Sequence, residues 1–177
     1  ETQPGLQCNV FESEVSDLYA LLFVDDKPAP KPSGSVESIN ILSDLEADKV
    51  YEYTGYIEVP EDGLYQFNLA SAQKMDIRIG KVVLSQTDKT PPEKKDELVR
   101  NYIAQVDLAK GKHVFAVYYY ASNPWSAFKL KDTLGADDKD EIARHEKWLE
   151  LPKTFTLDYQ DLNKPDTAAT PIPNKSL

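Results

Sequence analysis

The chain has 177 residues, of which 41% are hydrophobic, with ten tyrosines, six phenylalanines and a single cysteine. That length suits one domain with a proper core, and the apolar content excludes a disordered chain. A net charge of -10 and a pI near 4.7 argue against nucleic acid and anionic membrane as partners, because both require a basic face.

Glu1 opens the chain with neither an initiator methionine nor a hydrophobic leader, the start expected of a processed or trimmed chain. No apolar run approaches the ~20 residues of a membrane span. Residues 6–11, LQCNVF, read as a first strand in which Leu6, Cys8 and Val10 alternate. Cys8 is therefore expected as a small apolar strand residue. A lipid-bearing cysteine is the alternative, but no hydrophobic signal precedes it. In SDLYALLF, Leu18, Leu21 and Leu22 fall at helical spacing, which predicts a short helix. Residues 25–35, DDKPAPKPSGS, read as a loop because prolines cannot donate to a ladder.

Period-two alternation over 50–59, VYEYTGYIEV, sets Tyr51, Tyr53, Ile57 and Val59 on one face, the signature of a half-buried strand. PEDG at 60–63 is a turn. LYQFNLA then directs Tyr65, Phe67 and Leu69 inward. A polar break, Ser71-Ala72-Gln73-Lys74, separates it from MDIRI, with Met75, Ile77 and Ile79 inward. The charged, proline-broken stretch 85–98 reads as a long mobile loop. Strands resume over 102–108, and AKGKH turns the chain into 114–120, VFAVYYY, which is apolar on both faces and hence expected at the centre of a sheet covered on both sides. ASNPWS is a further turn and AFKLK a further strand.

Near residue 135 the composition changes. GADDKDEIARHEKWLEL is the best helix in the chain, with Asp137 or Asp138 to cap it and acids in its first turn. The resulting expectation is an all-β antiparallel domain over 1–134, a helix over 135–152 packed on or beside it, and a final strand with a proline-rich tail or linker over 153–177. No internal repeat is present.

Catalytic patterns are missing. His113 and His145 lack partners at ligand spacing. There is no G-x-S-x-G elbow, no G-x-G-x-x-G and no EF-hand ladder. The acid pairs Asp25-Asp26, Glu61-Asp62 and Asp137-Asp138 suit turns and caps better than the opposed carboxylates of a glycosidase. Exposed aromatics are more informative. Trp125, in the turn SNPWS, either stacks on the apolar face of a sugar ring or anchors its loop on the core.

Three blocks, YEYTGYIEVPEDGLYQFNL, DIRIGKVVL and VDLAKGKHVFAVYYY, together resemble the protective-antigen fourteen-kilodalton domain, the "PA-fourteen" family. Its members read aromatic-x-G-aromatic-I-x-V-P-x-D-G-x-Y-x-F, then a strand with an I-G turn, then L-x-x-G-x-H before a strand of apolar and tyrosine residues. The match runs in order over roughly residues 5–131. It implies an antiparallel β-sandwich or barrel-like domain, one that is non-catalytic, secreted, and often carried by glycoside hydrolases, adhesins and toxins as a carbohydrate-binding accessory module.

The resemblance also fixes a departure. In sugar-binding members the turn after the G-x-Y-x-F strand reads S-D-D-G, and its two acids hold Ca²⁺, which grips sugar hydroxyls. Here Ser71 is kept, but Ala72 and Gln73 replace the acids and Lys74 replaces the glycine. A hard dication wants several charged oxygens, and Lys74 adds a repelling charge. No metal and no other cofactor is therefore expected. The ligand-binding rim expected from the resemblance is Gln73, Lys74, Asn123 and Trp125, with Asp88 and Tyr119 at its margin. Partners would be a glycan or an attached or neighbouring hydrolase, and the location extracellular, periplasmic or on the cell surface. The alternative is a structural or protein-interaction β domain whose sugar site has decayed.

Overall fold

The structure, a computed structural model, describes residues 5–12, 31–36, 46, 49–73, 75–94, 99–120, 139–140, 143, 146–147, 150, 155–164, 166 and 168–172, with the backbone alone described at Glu12, Ser33 and Pro171. Eleven strands are described: β1 (Leu6–Glu12), β2 (Lys31–Val36), β3 (Lys49–Val59), β4 (Gly63–Ser71), β5 (Met75–Ile79), β6 (Val82–Val83), β7 (Thr87–Asp88), β8 (Arg100–Leu108), β9 (Gly111–Tyr120), β10 (Phe155–Asp161) and β11 (Thr170–Pro171). They form two antiparallel sheets, in the orders β2-β1-β3-β9-β5-β6 and β11-β10-β4-β8-β7.

The alternation read from the sequence builds the sandwich. Tyr53 and Ile57 of β3, Ile77 of β5, and Phe115, Val117 and Tyr119 of β9 face Tyr65 and Phe67 of β4 and Phe155 and Leu157 of β10. Phe67 stacks on Phe115 with ring centroids 5.9 Å apart, and Tyr119 lies 4.8 Å from Phe155, which ties the two sheets together with aromatic contacts. Desolvation, the largest cause, raises the phenol pKa values of Tyr53 and Tyr118 well above the ordinary tyrosine range. β9 lies between β3 and β5, and all six residues from Phe115 to Tyr120 are buried. Its outward residues Ala116, Tyr118 and Tyr120 join Phe11 and Val50 in a second buried cluster, so both faces of this strand are covered, as its unbroken apolar run predicts.

Gly63 and His113 have local reasons. Gly63 takes φ +148°, and a Cβ there would lie 2.1–2.4 Å from the Asn163 carboxamide. His113 Nε2 donates to the Ala109 carbonyl at 2.6 Å and so closes the β8–β9 hairpin from one side.

Three stretches differ from expectation. Residues 31–35 fall in the predicted loop, but Lys31–Val36 form strand β2. Among the described residues it is the outermost strand of its sheet and pairs with β1 alone, a place that tolerates Pro32, and the register shifts at Cys8/Asn9 beside it. Part of the predicted mobile loop is likewise ordered as an edge: Thr87 and Asp88 pair with Ile103 and Tyr102, Lys89 N donates to the Asn101 carbonyl at 2.7 Å, and Thr90 is buried. Within the proline-rich tail, Thr170 and Pro171 pair with β10 and Ile172 is 2% exposed in the core. A single apolar side chain suffices to hold that segment, and composition averaged over fifteen residues hides it.

The helix predicted near 18–22 and the turn and strand of 121–131 lie outside the described residues. The helix over 135–152 is described only at Lys139, Asp140, Ala143, Glu146 and Lys147, whose backbone is helical, and at Glu150, so its extent and packing also lie outside.

Candidate functional site

The β4–β5 turn decides the site. Ser71 ends β4 facing inward, and its Oγ accepts from Gln73 N at 3.1 Å, a local side-chain bond that closes the turn in place of a backbone one. Gln73 is therefore directed into the protein and not along its rim: it is 6% exposed, and its Oε1 accepts from the Tyr119 hydroxyl at 2.8 Å. Tyr119 is fully buried on the central strand β9, with Met75 opposite it in register. A buried phenol requires an acceptor, and the turn supplies one.

Beside this turn opens a pocket of about 530 Å³, within the range of small-molecule sites, which runs to roughly 300–1,000 Å³. Ser71, Ala72 and Gln73 form one wall. Ser85 and Gln86, in the connection from β6 to β7, also line the pocket, as do Tyr102 of β8 and Asp76 of β5. Its apolar lining comes from Leu69, Met75 and Leu84, all buried. Gln86 donates from Nε2 to the Met75 carbonyl at 2.7 Å. A concave surface of mixed character, with amides, hydroxyls and the Asp76 carboxylate beside apolar side chains, can bind a small polar molecule by its edges. It offers no nucleophile paired with a base.

Of the residues expected at a binding rim, Gln73 lines this pocket and Tyr119 supports it from beneath. Asp88 lies elsewhere: it sits on edge strand β7, its Oδ1 accepts from Thr90 N at 2.8 Å, and Oδ2 is 3.9 Å from Arg100 Nη1. Lys74, Asn123 and Trp125 lie outside the described residues. Gln86, Asp76 and Tyr102 were not anticipated. Gln86 lay in a stretch whose charge and prolines marked it as loop, and no residue-type signal distinguishes it from its neighbours. Tyr102 carried a signal, an aromatic at an inward position of a strand whose register puts it opposite Leu69.

The described turn residues present no charged oxygen to a calcium ion. The Ala72 side chain has no ligand atom, and the one side-chain oxygen of Gln73 is neutral and already accepts from Tyr119. Among the described residues, no three of His, Cys, Asp or Glu gather where they could share a metal.

The family model described as the PA14 domain matches residues 4–142. Among solved structures, an anti-sigma factor domain-containing protein from Clostridium clariflavum is similar at TM-score 0.55 and 16% identity, over 99% of this chain and 48% of that one. The transport component C2-II of the C2-toxin from Clostridium botulinum is similar at TM-score 0.50 and 12% identity, over 100% of this chain and 27% of that one. A β-glucosidase from Kluyveromyces marxianus aligns at TM-score 0.49 and 15% identity, over 89% of this chain and 17% of that one. At these identities the likeness to the first two is one of fold, and the chain spans about half or less of each of these proteins. No curated protein matches the chain significantly in sequence.

Proposed function

We propose that this chain, which belongs to the PA14 domain family, acts as a non-catalytic carbohydrate-binding module of a secreted glycan-degrading system, and that it binds without calcium. The observation that carries the reading is the pocket at the β4–β5 turn, where amide and hydroxyl groups converge over an apolar floor. A sugar presents the same division, hydroxyls around its edge and C–H groups on its faces. Calcium independence is supported by Ala72 and Gln73, which bring no charged oxygen to the turn and leave Asp76 as the one acid among the described residues lining the pocket. In this reading Gln73 hydrogen-bonds the ligand, Lys74, Asn123 and Trp125 complete the rim, and Trp125 stacks on the sugar. Association with a hydrolase and export from the cell rest on the company this family keeps, which includes secreted glycoside hydrolases and toxins.

A glycan array probed in the presence of a chelator tests it. Retained glycans are expected, with loss of signal in Ser85→Trp, which fills the pocket mouth from an exposed position. A weaker signal is expected for Trp125→Ala. An array without hits would remove the carbohydrate reading. The second reading, a structural or protein-interaction domain with a decayed sugar site, would then stand, and the inward commitment of Gln73 is the observation that favours it.

A further inference from the structure

Two glutamines line the pocket, and each has one end of its carboxamide committed to the protein. Gln73 accepts through Oε1 from the Tyr119 hydroxyl, so Nε2 is the end left over. Gln86 donates through Nε2 to the Met75 carbonyl, so Oε1 is the end left over. Neither remaining atom has a further hydrogen bond among the described residues. Met75 is two residues beyond Gln73 in the chain, so both carboxamides are fixed to the same short piece of backbone. Because each is held at its far end, neither can flip without breaking a bond to a buried hydroxyl or a main-chain carbonyl.

The pocket thus offers an oriented N–H donor and an oriented C=O acceptor, with Leu69, Met75 and Leu84 as apolar surface around them. That is the complement of a secondary amide bearing a small alkyl group. Its carbonyl accepts from Gln73, its N–H donates to Gln86, and its methyl meets the apolar floor. A free amine would leave the Gln73 donor unmatched, and Asp76, the carboxylate in the lining, is already engaged within the protein. A carboxylate would leave the Gln86 acceptor unmatched. An alcohol meets either amide but lacks the methyl. The geometry points to the acetamido group of an N-acetylated amino sugar as the feature this pocket selects. This deepens the carbohydrate-binding reading and rests on it.

The test is calorimetric titration, in chelator, of the whole chain with N,N′-diacetylchitobiose and with cellobiose, which differ at the acetamido positions. An unmatched buried donor or acceptor costs enough for a preference of about tenfold for the acetylated disaccharide. Gln86→Met, at a half-buried position away from the Tyr119 bond, should abolish most of that preference while leaving the circular dichroism spectrum unchanged. Equal affinity for the two disaccharides would overturn the acetamido assignment and leave the carbohydrate reading standing. A preference that survives Gln86→Met would overturn it as well. Failure of every glycan, on the array and here, removes both. N-acetylglycine methylamide binding as tightly as the disaccharide would show a peptide-amide site and overturn the sugar assignment.

Discussion

The bond between Tyr119 and Gln73 can be weighed directly by a double-mutant cycle of Tyr119→Phe and Gln73→Met. Tyr119→Phe keeps the ring against Phe155, so packing changes little and the loss isolates the hydroxyl. It removes a hydrogen bond of about 1 kcal/mol net and strands the Gln73 oxygen, for a total of ~1–2 kcal/mol. Gln73→Met, of similar length and shape, removes the acceptor that the turn gives the fully buried Tyr119 hydroxyl, for a comparable ~1–2 kcal/mol. The double variant strands neither group, so its cost should fall short of the sum by about 1 kcal/mol. In urea unfolding, with a slope of about 2 kcal/mol per molar, each single change lowers the midpoint by roughly 0.5–1 M. Single effects that add to within about 0.4 kcal/mol would refute the claim that the turn is anchored from inside.

Other outcomes follow from the same structure. Gly63→Ala should destabilise the fold by ~2–4 kcal/mol, since the new methyl meets the Asn163 carboxamide at 2.1–2.4 Å with φ at +148°, and a normal urea midpoint would contradict this. Ile172→Ala should cost ~2–4 kcal/mol although the residue lies in a stretch that reads as a tail, and a cost below the error of the measurement would show that β11 does not dock. Stability should fall as pH rises above about 10. Burial, the leading cause, raises the phenol pKa values of Tyr53 and Tyr118, so the folded state keeps protons that the unfolded chain releases there. The stabilisation is complete below the unfolded value and is lost above it, at up to about 1.4 kcal/mol per pH unit for each such tyrosine. Urea midpoints across that range, with phenolate absorbance read in parallel, check the sign.

The strands were legible where the alternation was strong. Tyr51, Tyr53, Ile57 and Val59, and then Tyr65, Phe67 and Leu69, are inward in the fold because a period of two leaves one register that buries them. The misread segments are all edges. Among the described residues, β2, β7 and β11 pair on one side only, where the usual signs against a strand (Pro32, the charges around Asp88, the prolines near Ile172) are tolerated. The site was legible in part. The altered S-x-x turn marked the right place, but the inward direction of Gln73 depends on Tyr119, forty-six positions away in the chain. The place of Gln86 depends on a loop folding back to the Met75 carbonyl, and no local pattern encodes such a contact.

Chemical-shift mapping of the labelled chain with an array-positive glycan, in chelator, tests the central claim most directly. The account predicts saturable shifts at the amides of 71–73, 84–86 and 102, unchanged when calcium is added. Shifts confined to another surface, or shifts that arise only with calcium, would contradict it.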